Sequence, residues 1–149
     1  MHKLKSNYIT LTDEQRLYRC ELPIIGLTGG IATGKSTASK YLAGLGIPVI
    51  DADHLIHTIY AQQETIEFVS SIATDSVKNS KIDFKSLRSA FFKNADLKDK
   101  LESFLYQRMP AAFEFELAKY KESPFSYIVY DVPLLFEKNL QSKVDLNIL

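Results

Sequence analysis

Apolar and polar positions divide the chain into a polar lead-in, a strand–helix–strand unit, a helical middle and a strand-bearing tail. Residues 1–22 are polar, with Tyr8, Ile9 and Leu17 scattered among them. They read as an N-terminal extension with a short helix over 12–20, where Asp13 and Glu14 suit a first turn and Pro23 punctuates the end. Residues 24–28 form a short apolar run of strand type, 35–45 a helix that Gly46 stops, and 48–51 a second buried strand. Such a unit gives parallel strands joined by a right-handed crossover. The middle predicts helices over 53–61 and 64–73, then one over 84–92 capped by Asp83. A helical stretch over 96–120 follows, with Leu97, Leu101, Phe104 and Leu105 on one face, and Pro110 is expected to break or kink it. Residues 126–131 and 144–149 complete the strands.

Length and charge narrow this picture. A chain of 149 residues suits one domain with a real core. Eighteen basic residues balance eighteen acidic ones, which gives no support for a nucleic-acid or membrane binder. No run reaches the roughly 18 apolar residues that span a bilayer, and the N-terminus lacks the apolar core of a signal peptide. With one cysteine, Cys20, no internal disulfide can form, so a reducing, cytoplasmic setting is expected. His54 and His57 fall three apart on a helix without a third partner, too few for zinc.

All six glycines lie between Gly26 and Gly46, and they frame the candidate chemistry. Gly29-Gly30-Ile31-Ala32-Thr33-Gly34-Lys35-Ser36 matches G-x-x-x-x-G-K-[ST] between a strand and a helix, the context a phosphate loop requires. The backbone N–H groups of residues 30–37, from Gly30 to Thr37, are expected to face phosphate oxygens, aided by the helix N-terminus. Lys35 is expected to reach the β- and γ-phosphates of ATP, and the Ser36 hydroxyl to bind Mg2+. Neither N-K-x-D nor D-x-x-G occurs, which argues against a GTPase. Asp131 ends an apolar strand, as the magnesium-ordering acid of an ATPase would. Asp51 and Asp53 follow the second strand at the same sheet edge. One of them can take a proton from an acceptor hydroxyl, and either can cap the next helix.

Three strings together carry a resemblance. Leu27 to Thr37, Gly46 to Asp53, and Val132-Pro133-Leu134-Leu135-Phe136-Glu137 are similar, in order, to signatures of the dephospho-CoA kinase family. The resemblance implies an α/β fold: a P-loop kinase-type parallel sheet flanked by helices, with a helical acceptor-binding insert over about residues 54–122. It implies transfer from ATP to the ribose 3′-hydroxyl of dephospho-coenzyme A. Asp53 matches the family's catalytic acid, with Lys35 beside it, and Asp51 a supporting or capping residue. Arg88, Pro133, Leu134 and Leu135 fall at acceptor-binding positions. Non-catalytic nucleotide binding and another small-molecule kinase activity are the competing readings.

Two departures stand out. Tyr106-Gln107 replaces the family's His-Pro, with Arg108 and Pro110 nearby. The family also continues with an arginine-bearing lid and a last strand beyond the position of Leu149. The chain alone is therefore expected to bind nucleotide, to transfer phosphate weakly or not at all, and to expose a sheet edge open to self-association.

Overall fold

The computed structural model describes residues 2–29, 34–132 and 139–148. In chain order it runs β1 (Ile24–Leu27), α1 (Lys35–Gly44), β2 (Val49–Asp51), α2 (Ala52–Tyr60) and α3 (Gln63–Ile72). Then come β3 (Val77–Lys78), β4 (Lys81–Ile82), α4 (Phe84–Lys93), α5 (Ala95–Ala118), β5 (Ile128–Asp131) and β6 (Leu146–Ile148). Two compact units result: Met1–Asp53 with Phe113–Leu149, and His54–Ala112. No helix among the described residues is long and apolar enough to cross a membrane.

The first unit is α/β. Its sheet has the order β2-β5-β1-β6, and every pairing is parallel. All four residues of β1 and of β5 are buried, as central strands of a parallel sheet require. Period-two alternation sorts their side chains. Ile25, Leu27 and Val129 meet Ala38 and Leu42 of α1 on one face. On the other, Tyr130 packs edge-on to Phe113, ring centroids 5.2 Å apart. Gly46, at φ 84°, turns the chain from α1 into β2 by adopting the left-handed conformation that glycine tolerates. Among the described residues, β6 has a strand partner on one side only.

Residues 2–22 are folded into this unit by an acid on the approach to β6. Asp145 accepts hydrogen bonds from the backbone N–H groups of Thr10 (3.1 Å), Leu11 (3.1 Å) and Ile24 (2.9 Å), and from Arg16 Nε (2.7 Å). The expected helix over 12–20 is absent. Arg16 is extended (φ −72°, ψ 154°), and Tyr18 and Arg19 both sit at φ 55°, leaving only a short 3-10 turn at Leu17–Arg19. Left-handed backbone costs roughly 1–2 kcal/mol at each such residue. Burial of Arg16 and Leu17, and contact of the Tyr18 ring with Phe113 at 5.1 Å, compensate that strain.

The second unit is helical, with one antiparallel hairpin, β3–β4, in a stretch with no sequence-predicted strand. Its turn residues Asn79 and Ser80 both have positive φ, as the commonest two-residue hairpins demand. Asp83 caps α4 as expected, accepting from the N–H groups of Lys85 and Ser86. Of the expected break or kink at Pro110, no break occurs: helix α5 continues through it. Proline removes one helical donor, yet Leu105, Met109 and Phe113 on either side are buried, and packing holds the helix. Arg108 is held within this unit, donating to Glu64 at 2.9 Å and lying 3.4 Å from the Phe104 ring centroid.

Candidate active site

Parallel register brings the carboxyl ends of the strands level. Asp131 pairs with Leu27 on one side and with Asp51 on the other. Two strand-end carboxylates therefore stand at the edge from which the chain leaves β1 for α1, where open α/β sheets bind ligands.

Helix α1 supplies the facing cation. Gly34 is its N-cap at φ 84°, a conformation suited to glycine, and Lys35 is its first residue. The ladder begins with Ala38 N–H donating to the Gly34 carbonyl at 2.9 Å. The N–H groups of Lys35, Ser36 and Thr37 precede that bond and belong to the electropositive end of the helix. Ser36 and Thr37 are exposed. Lys35 Nζ makes an ion pair with Asp131 Oδ1, and Ser39 Oγ donates to Asp131 Oδ2 at 2.7 Å. The pair is largely buried, with 15% of the Lys35 side chain and 6% of the Asp131 side chain exposed.

The second acidic pair starts α2. Asp51 Oδ1 accepts from the Asp53 N–H at 2.9 Å, fixing the first turn of the helix. The Asp53 carboxyl makes no part of that bond. Partial burial, the largest cause, and the nearby charge of Asp51 raise its pKa. Lys35 pulls the other way, and Asp131 adds a smaller push upward. Behind this pair, burial pushes the Tyr130 phenol far up, helped by Tyr18 and by the charges of Asp51 and Asp53.

Lys35, Asp51, Asp53 and Asp131 thus form one electrostatic cluster. Gly34, Ser36 and Thr37 adjoin it along the start of α1. Gly30, Ile31, Ala32 and Thr33, and Pro133, Leu134 and Leu135, lie outside the described residues. Arg88 lies exposed on α4 of the second unit. Ser39 was not among the sequence candidates. Its position four residues after Lys35, on the same helical face, was the available signal.

A parallel sheet whose carboxyl edge carries a helix-terminal lysine and strand-end acids defines a P-loop-type α/β protein. The chain belongs to the dephospho-CoA kinase family, whose model matches residues 23–149. A dephospho-CoA kinase of Fusobacterium nucleatum is 38% identical over 124 residues, covering 82% of this chain and 63% of that protein. One from Carboxydothermus hydrogenoformans is 38% identical over 130 residues, covering 83% and 62%. A crystal structure of a Thermus thermophilus protein superimposes with TM-score 0.70 at 28% identity, over 83% of this chain and 62% of that one. A dephospho-CoA kinase from Campylobacter jejuni gives TM-score 0.61 at 28% identity, over 76% and 58%. The chain thus spans less than two-thirds of these relatives' length, and residues 2–22 precede the family match.

Proposed function

We propose that this chain binds ATP at the Lys35–Asp131 edge and takes part in phosphorylating the ribose 3′-hydroxyl of dephospho-coenzyme A, giving coenzyme A and ADP. The observation that carries the reading is one cluster holding a phosphate-loop lysine and two pairs-in-waiting: Lys35 with Asp131, and Asp51 with Asp53. Lys35 has two competing partners, Asp131 in the structure and the phosphates when nucleotide is present. Its move to the phosphates places a positive charge where negative charge develops in transfer. Asp53 is the base that receives the acceptor hydroxyl proton, and its raised pKa makes it a better proton acceptor than an ordinary aspartate. Asp51 keeps Asp53 at the helix start. The loop residues from Gly30 to Thr37 cradle the phosphates. Arg88, Pro133, Leu134 and Leu135 contact the acceptor.

The oxygen donors of this edge fit Mg2+: the exposed Ser36 hydroxyl and the Asp131 carboxylate are hard ligands of the kind it selects. Ser36 would hold the ion directly, and Asp131 would order its waters. Bound there, Mg2+ neutralises phosphate charge.

The test is ADP release by the purified chain with ATP, with and without dephospho-CoA, and mass analysis of the product. Dephospho-CoA-dependent ADP that disappears in Asp53→Asn is expected. Nucleotide binding with no such ADP, in wild type and variant alike, would favour a nucleotide-binding module over an enzyme.

A further inference from the structure

Asp131 is gripped at both oxygens from a single helix. Lys35 and Ser39 are four residues apart on α1, so their side chains leave the same face. Lys35 Nζ takes Oδ1, and the Ser39 hydroxyl donates to Oδ2 at 2.7 Å. A serine inside a helix commonly turns its hydroxyl back to the carbonyl four residues earlier. Here it donates instead across to the sheet, to a residue 92 positions later. A hydroxyl on a buried carboxylate is a charge-assisted bond with a defined direction. It restrains rotation of the Asp131 carboxylate and leaves Oδ1 turned toward the start of α1.

We propose that Ser39 is a positioning residue that holds Asp131 ready for the magnesium–nucleotide complex. When Lys35 exchanges Asp131 for phosphate, Oδ1 loses its cation. Ser39 keeps the carboxylate in place, so Oδ1 stays available to accept from a water on the metal. Without that hydroxyl, Asp131 turns freely and orders the metal waters poorly. This rests on the nucleotide-binding part of the function proposed above and not on the identity of the acceptor.

Calorimetry of ATP binding, once with excess Mg2+ and once with EDTA, separates the two. The readout is the factor by which Mg2+ tightens ATP. Ser39→Ala should shrink that factor about tenfold, the scale of one charge-assisted hydrogen bond. Its affinity for ATP in EDTA should stay within about twofold of wild type, because Asp131 acts on the metal waters. Ser39→Thr, which keeps the hydroxyl, should restore the factor. If Ser39→Ala does not fold, Ser39→Cys, a weaker donor of similar size, must show an intermediate loss. An unchanged factor in Ser39→Ala or Ser39→Cys, or equal losses with and without Mg2+, overturns the proposal. Absence of any Mg2+ effect in wild type overturns it as well. A failure of the acceptor reading appears elsewhere, as missing dephospho-CoA-dependent ADP with the binding ratios intact.

Discussion

Asp53 carries a raised pKa because folding partly buries it beside Asp51, and the direction of that shift sets two observables. The first is catalytic. If Asp53 is the base proposed above, it must be ionised, so activity should fall in acid with a midpoint above the ordinary aspartate value of about 3.9. Asp53→Asn should lower kcat at least about a hundredfold and leave the ATP Kd within about twofold. A variant that instead loses ATP binding would place Asp53 in the nucleotide site. The second is stability. A group whose folded pKa exceeds its unfolded pKa contributes most below the unfolded value, and the contribution is lost as pH rises through the folded one. Asp53→Asn should therefore melt slightly higher than wild type at pH 7, and the difference should vanish below about pH 4. Lys35 gives the opposite result. Lys35→Ala removes the cation paired with the buried Asp131 carboxylate and leaves the Ser39 hydrogen bond. It should cost about 2–3 kcal/mol in chemical denaturation as well as abolishing ATP binding.

The elements divide by where their information sits. Asp145 shows the case in which it is distant. Burial pushes its carboxyl upward, but the Arg16 guanidinium and the N–H groups of Ile24 and Leu11 outweigh burial and hold the pKa below normal. Its stabilising contribution is thus present above the unfolded aspartate pKa and lost as pH falls through the folded one. Asp145→Asn should cost about 3 kcal/mol at pH 7, a drop of roughly 6–12 °C in Tm, and the gap to wild type should close in acid. An unchanged melting point would mean that residues 2–22 are not fastened by this acid. Nothing near Arg16 in sequence announces a partner 129 residues away. Asp13 and Glu14 therefore suggested a helix, and the tertiary bond drew the chain straight instead. The elements with local causes were legible: β1 and β5 from their apolar runs, α1 from Gly34 and Gly46, α4 from the Asp83 cap. The β3–β4 hairpin escaped because four paired residues leave too short a pattern to register.

At the scale of the whole molecule, the first unit is assembled from both ends of the chain, Met1–Asp53 and Phe113–Leu149. Its site has the same origin, which explains how far it could be read. Lys35, Ser36, Asp51 and Asp53 lie in contiguous motifs, and Asp131 was visible as a strand-end acid. The grip of Lys35 and Ser39 on Asp131 exists only once β5 is inserted between β1 and β2. A ligand binding this edge should therefore stabilise a unit whose two segments are far apart in sequence. Mg-ATP at a hundred times its Kd should contribute about 2.7 kcal/mol. For a chain of this size that raises Tm by roughly 5–10 °C. Hydrogen exchange should locate the effect, with added protection in β1, α1 and β5 and little in α3 and α4. If Mg-ATP at millimolar concentration moves neither the melting point nor exchange in α1, the Lys35 edge is not a nucleotide site. Arg88→Ala should leave that ATP-induced shift intact and raise KM for dephospho-CoA about tenfold, the scale expected for losing one charged contact. Equal effects on ATP and acceptor would overturn the proposed contact of Arg88 with the acceptor.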